Sequence, residues 1–238
     1  MYAREVEGNE LTFGVSGKLI RNVLVMYDRQ SESLWSQLLG ESVSGEYLGT
    51  KLEYLPSWHT TWKAWKEMHP DTVALQKGFR SDRDPYVSYY QSSSTGIIAE
   101  TTIDNRLLAK EFVVGVELSD GSAKAYPYRA LSTRPVVNDS VGDYELLVVF
   151  DKTSATSIAA DRRLDGMTLT FSQVSTDPFT LQDSETGSTW NALTGTAVAG
   201  PLAGEELKRI KSTAAFWFGW KDFHPDTALF ELESDPPG

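Results

Sequence analysis

Apolar residues in this chain gather into short runs, and turn formers fill the spaces between them. "FVVGVEL" (residues 112–118) and "YELLVVF" (Tyr144–Phe150) read as strands, the first followed by a hairpin signal at Asp120-Gly121. "LTF" occurs twice, at Leu11–Phe13 and Leu169–Phe171, each time just after a glycine turn, at Gly8 and Gly166. A helical period shows in "TTWKAWKEMHPDT" (residues 60–72): Trp62 and Trp65 share a face, Thr60 or Thr61 can cap the start, and Pro70 stops it. His69, ahead of that proline, is biased toward extended backbone. The pattern predicts a mainly β (α+β) chain. The apolar run "LLVVF" is far shorter than the roughly 20 residues of a membrane-spanning helix.

The chain also repeats itself. Residues 28–72 align without a gap to residues 183–227, and 17 of those 45 positions are identical. The matches include Trp35 with Trp190, Gly45 with Gly200, Trp62 with Trp217, Trp65 with Trp220, and both His-Pro-Asp-Thr endings. Upstream, after a three-residue slip, Arg4–Phe13 pairs with Arg162–Phe171. Each copy reads as a hairpin, a strand, a Trp-centred strand, glycine turns and a helix. The period is too long for a solenoid unit, so the expected architecture is two related β-sandwich or barrel-like repeats, each closing with a short helix.

The organisation expected is a first repeat over 1–75, a connecting segment over 76–110, and a complete second repeat over 111–238. The roughly 48 residues before the alignable part of the second copy read as several strands without a first-copy counterpart. The first repeat therefore reads as N-terminally truncated. A second chain, as in a dimer, or a missing N-terminal segment would complete it by covering its exposed strand edges.

Composition narrows the functions. Asp and Glu outnumber Lys and Arg 33 to 22, a formal charge of −11 without a compensating basic cluster, so nucleic acid is not an expected partner. The absence of cysteine excludes disulfides, thiolate nucleophiles and cysteine-ligated metals. The glycines match neither a phosphate loop nor a dinucleotide fingerprint, and "FGVSG" has the wrong spacing for a nucleophile elbow.

Two readings stand for each remaining candidate. His69 with Asp71, and His224 with Asp226, are either turn-formers after a helix or acid–base or metal-binding pairs. Trp35 and Trp190, preceded by Asp28 and Asp183, are either core residues or aromatic platforms at a ligand site. His59 faces Ala214 in the alignment and is read as incidental. No catalytic set, metal site or cofactor is assigned.

The phrases "LTFGVSGKLIRNVLVMYDRQSESLWSQ", "GVELSDGSAKAYP", "VVNDSVG", "DRRLDGMTLTF", "ETGSTWNALTGTAVAGPLAG" and the paired "HPDT" resemble the bacterial and archaeal family known as domain of unknown function 3179. The resemblance implies a duplicated, mostly β, extracytoplasmic protein without an assignable activity. In that family a Cys-Pro-Leu-Cys stretch precedes the first hairpin. At the corresponding place in the second copy, "VVFDKTSATS" (residues 148–157), Asp151 and Ser154 stand where cysteines would. "GSTWNALTGTAVAGP" (residues 187–201) is also similar to the closing segment of Rieske domains, though the two cysteines and two histidines of a Rieske cluster are not in place. The sequence thus supports an extracytoplasmic binding or scaffold domain for an unnamed ligand or protein partner. The alternative is an enzyme or metal-dependent protein with a site between the repeats, using His69, His224 and carboxylates such as Asp28 or Asp183.

Overall fold

A computed structural model describes residues 1–76 and 86–232. The walk along the chain begins with β1 (Glu5–Val6), β2 (Asn9–Glu10), β3 (Phe13–Ile20), β4 (Val23–Asp28), β5 (Leu34–Ser36) and β6 (Glu41–Ser44). Helices α1 (Trp62–Met68) and α2 (Val87–Gln91) follow, then β7 (Phe112–Glu117), β8 (Ala123–Pro127) and α3 (Tyr128–Thr133). Next come β9 (Val136–Val141), β10 (Tyr144–Asp151), β11 (Thr156–Asp161), β12 (Arg163–Leu164) and β13 (Met167–Thr168). The last part holds β14 (Phe171–Thr176), β15 (Phe179–Asp183), β16 (Thr189–Asn191), β17 (Thr196–Ala199), β18 (Ser212–Phe216), α4 (Trp217–Phe223) and β19 (Ala228–Leu229). The protein is mainly β, as its pattern predicts, and among the described residues no sheet closes into a barrel. Part of the expected connection, residues 77–85, lies outside the described residues.

The chain divides into two compact units. Unit 1 comprises Met1–Ser57, Thr95–Lys110 and Ala215–Asp226. Its sheet is an antiparallel meander in the order β3-β4-β5-β6, with Phe13 opposite Asp28 and Met26 opposite Trp35. These register pairs share one face, where Trp35 is buried with Val6, Leu11 and Leu52. The Trp35 ring meets Phe13 edge-on at 5.6 Å.

Unit 2 comprises Trp58–Ser94, Glu111–Ala214 and Thr227–Gly238. Its central sheet, β11-β10-β9, explains why "LLVVF" (Leu146–Phe150) reads as an unbroken apolar run. Leu147 and Val149, with Ile158 and Ala160, face the meander β14-β15-β16-β17 and its Trp190. The alternate residues Leu146, Val148 and Phe150, with Ala159, face the other way, toward Val114, Val116, Tyr126 and Leu131. Successive side chains on a strand point to opposite faces, so a strand buried on both faces has no polar alternation to show. The second of these cores includes β7 and β8 from the sheet β18-β7-β8-β19, in which β7 and β8 are antiparallel and β19 pairs with β8 in parallel.

The units do not follow the repeats. Helix α1, which ends the first copy in sequence, belongs to unit 2; α4, which ends the second, belongs to unit 1. Trp58, just upstream of α1, shows how the first-copy segment is held. Its indole N–H donates to the Leu193 carbonyl at 2.9 Å, its ring lies under the Arg209 guanidinium, and it packs on the core around Trp190.

Candidate functional site

The carboxylates and tryptophans singled out by sequence form two buried nodes. In unit 1, Asp28 Oδ1 accepts the Ser31 amide at 2.6 Å, and Oδ2 accepts the Trp35 indole N–H at 3.0 Å. The Ser31 hydroxyl bonds both carboxylate oxygens and lies 2.7 Å from the Ser33 hydroxyl. In unit 2 the same bonds run from Asp183 to the Thr186 amide at 2.6 Å, to the Thr186 hydroxyl, and to Trp190 at 2.8 Å. An aspartate bonding the amide three residues on closes a tight turn, and the indole N–H then meets an acceptor inside the core. Both rings are fully buried and neither carboxylate reaches solvent.

Burial alone would push each acid up. The bonds to Asp28 from Trp35 and from the Ser31 amide and hydroxyl outweigh burial and hold it below the ordinary aspartate range. For Asp183, the bonds from Trp190, the Thr186 amide and hydroxyl, and the Ser188 amide do the same. A glycine closes each node from above. A Cβ on Gly200, at φ +94°, would lie 2.6 Å from the Ser188 Cα; one on Gly45, at φ +101°, would lie 2.7 Å from the Ser33 Cα. The obstacle is backbone and cannot swing away. Gly200→Ala is therefore expected to destabilise the protein by roughly 1–3 kcal/mol, read as a shifted midpoint in chemical denaturation.

The His-Pro-Asp-Thr phrases close helices. Thr61 caps α1 by accepting the Ala64 amide, and His69 ends it by donating its own amide to the Trp65 carbonyl. The Trp65 indole N–H then reaches Thr72 Oγ1 at 2.9 Å, and the His69 ring lies 4.2 Å from the Trp65 ring. In α4 the His224 amide donates to the Trp220 carbonyl, and the two rings are 4.0 Å apart. Asp71 and Asp226 are exposed. His69 lies in unit 2 and His224 in unit 1. Among the described residues, no group of three His, Cys, Asp or Glu side chains is placed to hold a metal ion.

A concave feature lies elsewhere, in unit 2. A cleft of about 540 Å³ opens beside the β10–β11 turn. Its apolar floor is Pro135, Phe150 and Phe179. Its rim carries Ser132 and Thr133 from the end of α3, Asp151, Lys152 and Thr153 from the turn, and Gln173 and Thr176 from β14. Asp151 organises the turn by accepting the Thr153 amide at 2.9 Å and the Ser154 hydroxyl at 2.5 Å. The Ser154 hydroxyl lies 2.6 Å from that of Thr156, which donates to Thr60 at 2.7 Å. Ser154 and Thr156 are buried, so this run of hydroxyls leads inward from the cleft.

Spacing in the sequence does not reveal this cleft, since three separate segments line it. The signal that touches it is the pair Asp151 and Ser154, in the positions where the family resemblance places cysteines.

The chain belongs to the family described as "Protein of unknown function (DUF3179)", whose model matches residues 1–227. No curated protein and no solved structure matches it.

Proposed function

We propose that this member of the DUF3179 family is a binding module without catalytic machinery, its ligand site being the cleft beside the β10–β11 turn. The observation that carries this reading is the cleft itself. At about 540 Å³ it has the volume of a small-molecule site, with an aromatic floor and a polar rim. That lining suits a compact polar molecule with one apolar face: the face stacks on Phe179, and hydroxyl or amide groups meet Thr133, Gln173 and Asp151. An extracytoplasmic setting rests on the family resemblance, and the paired sequence copies support an origin by duplication. The acid–base alternative built on His69 and His224 has less support, because each imidazole packs against the tryptophan of the preceding helical turn.

The test is a panel of monosaccharides, amino acids and short peptides, followed by the shift each causes in melting temperature. At least one class is expected to raise it, since a ligand that binds only the folded state stabilises it. Phe179→Ala and Gln173→Ala are expected to abolish that rise. A panel without effect, or a rise indifferent to both substitutions, would overturn the reading.

A further inference from the structure

Helix α4 holds a peptide-like segment of its own chain, and helix α1 carries the same chemistry without a described segment laid across it. In unit 1, residues 95–110 run without helix or strand along α4. Lys221 pairs with the Glu100 carboxylate at 2.6 Å and donates to the Thr102 carbonyl. The Asp222 carboxylate accepts the Thr101 amide at 3.0 Å and the Thr102 amide at 2.8 Å. The Trp217 indole N–H donates to the Asp104 carbonyl at 3.1 Å, and the Arg106 guanidinium lies over the Trp217 ring at 5.3 Å. Backbone polar groups of this irregular segment, which bends at Thr101–Thr102, are thereby satisfied by a helix's side chains. Trp217, Lys221 and Asp222 are all buried.

At the matching positions α1 has Trp62, Lys66 and Glu67. Trp62 is 55% exposed, and Glu67, whose side chain is 66% exposed, forms a weak pair with Lys63 at 4.0 Å. The Lys66 ammonium turns back onto the Pro70 carbonyl at 2.5 Å. A half-exposed indole beside an exposed cation and anion is an unusual surface for one helical turn, and α4 shows what such a set engages.

We propose that this face of α1 is a docking site for a peptide of the Glu-Thr-Thr-x-Asp-x-Arg kind, bent at its threonines and presented by a partner protein. The peptide glutamate meets Lys66, the two threonine amides meet Glu67, the aspartate carbonyl takes the Trp62 indole N–H, and the arginine stacks on the indole ring. The site is independent of the cleft in unit 2.

A synthetic peptide with the sequence of residues 96–110, labelled with a fluorophore, tests this against the whole protein by anisotropy, beside a scrambled peptide of equal composition. Saturable binding of the native order alone is expected. Trp62→Ala or the pair Lys66→Ala and Glu67→Gln should weaken it by about tenfold or more. All the altered positions on α1 are exposed, so an unchanged melting temperature verifies that the variants are folded. Equal binding of the scrambled peptide, no saturation, or binding indifferent to the α1 substitutions would overturn the proposal.

Discussion

Trp190→Ala is expected to be among the most destabilising single substitutions in the protein, costing about 3–5 kcal/mol. The indole is fully buried among Leu147, Val149, Ile158, Leu181 and Leu207, so its removal opens a cavity that a rigid β layer collapses into poorly. It also strips Asp183 of its indole donor inside the core. Trp35→Ala makes a useful comparison. It has the same carboxylate partner geometry but lies in a cluster of four buried residues rather than eleven, so a smaller loss is expected. Urea denaturation followed by circular dichroism measures both, and an equal or reversed order would contradict the packing argument.

Asp183→Ala is expected to cost about 1–3 kcal/mol for the buried indole donor it leaves unsatisfied, with further loss from the opened turn at Thr186. The charge has its own signature. Asp183 and Asp28 are both held below the ordinary aspartate range, so each contributes stability that is fully present above the unfolded aspartate pKa. That contribution is lost as pH falls through the lower native pKa. Stability measured over roughly pH 2 to 7 should therefore fall steeply only at the acid end. Asp183→Asn keeps an oxygen acceptor of the same shape and removes the titration. It should flatten that fall by its share, with Asp28 supplying the remainder. A variant as acid-sensitive as the parent would show that the node does not set the acid limit.

Much of the architecture is legible in the residues, for reasons that differ from element to element. The hairpins at Gly8 and Gly166 are local, and so are their signals: Glu7 and Asp165 adopt positive φ directly before each glycine. Helix α1 announces itself by Thr61 at its start and Pro70 after its end. The strand β10 is equally plain, because burial on both faces leaves its centre, Leu146–Phe150, no polar positions. The exchange of α1 and α4 between the units leaves no trace in any window of sequence. Which sheet a helix covers is decided by contacts more than a hundred residues away, such as Arg21 with the Asp222 carbonyl. The Asp–Trp bond was hidden for a related reason. A spacing of seven residues says nothing until the turn at Ser31 or Thr186 brings the carboxylate under the ring. The cleft depends on three segments meeting, and each of them alone resembles an ordinary turn.

Unit 1 has a consequence for the order of events on the ribosome. Its meander is translated well before the helix that belongs with it, which is encoded at Trp217–Phe223. Most nascent chains mature from the N-terminus as each piece emerges, and long-range partners slow that maturation. Here those strands must wait for a helix encoded far downstream, while Trp62–Met68, which goes to unit 2, is made before that unit's strands.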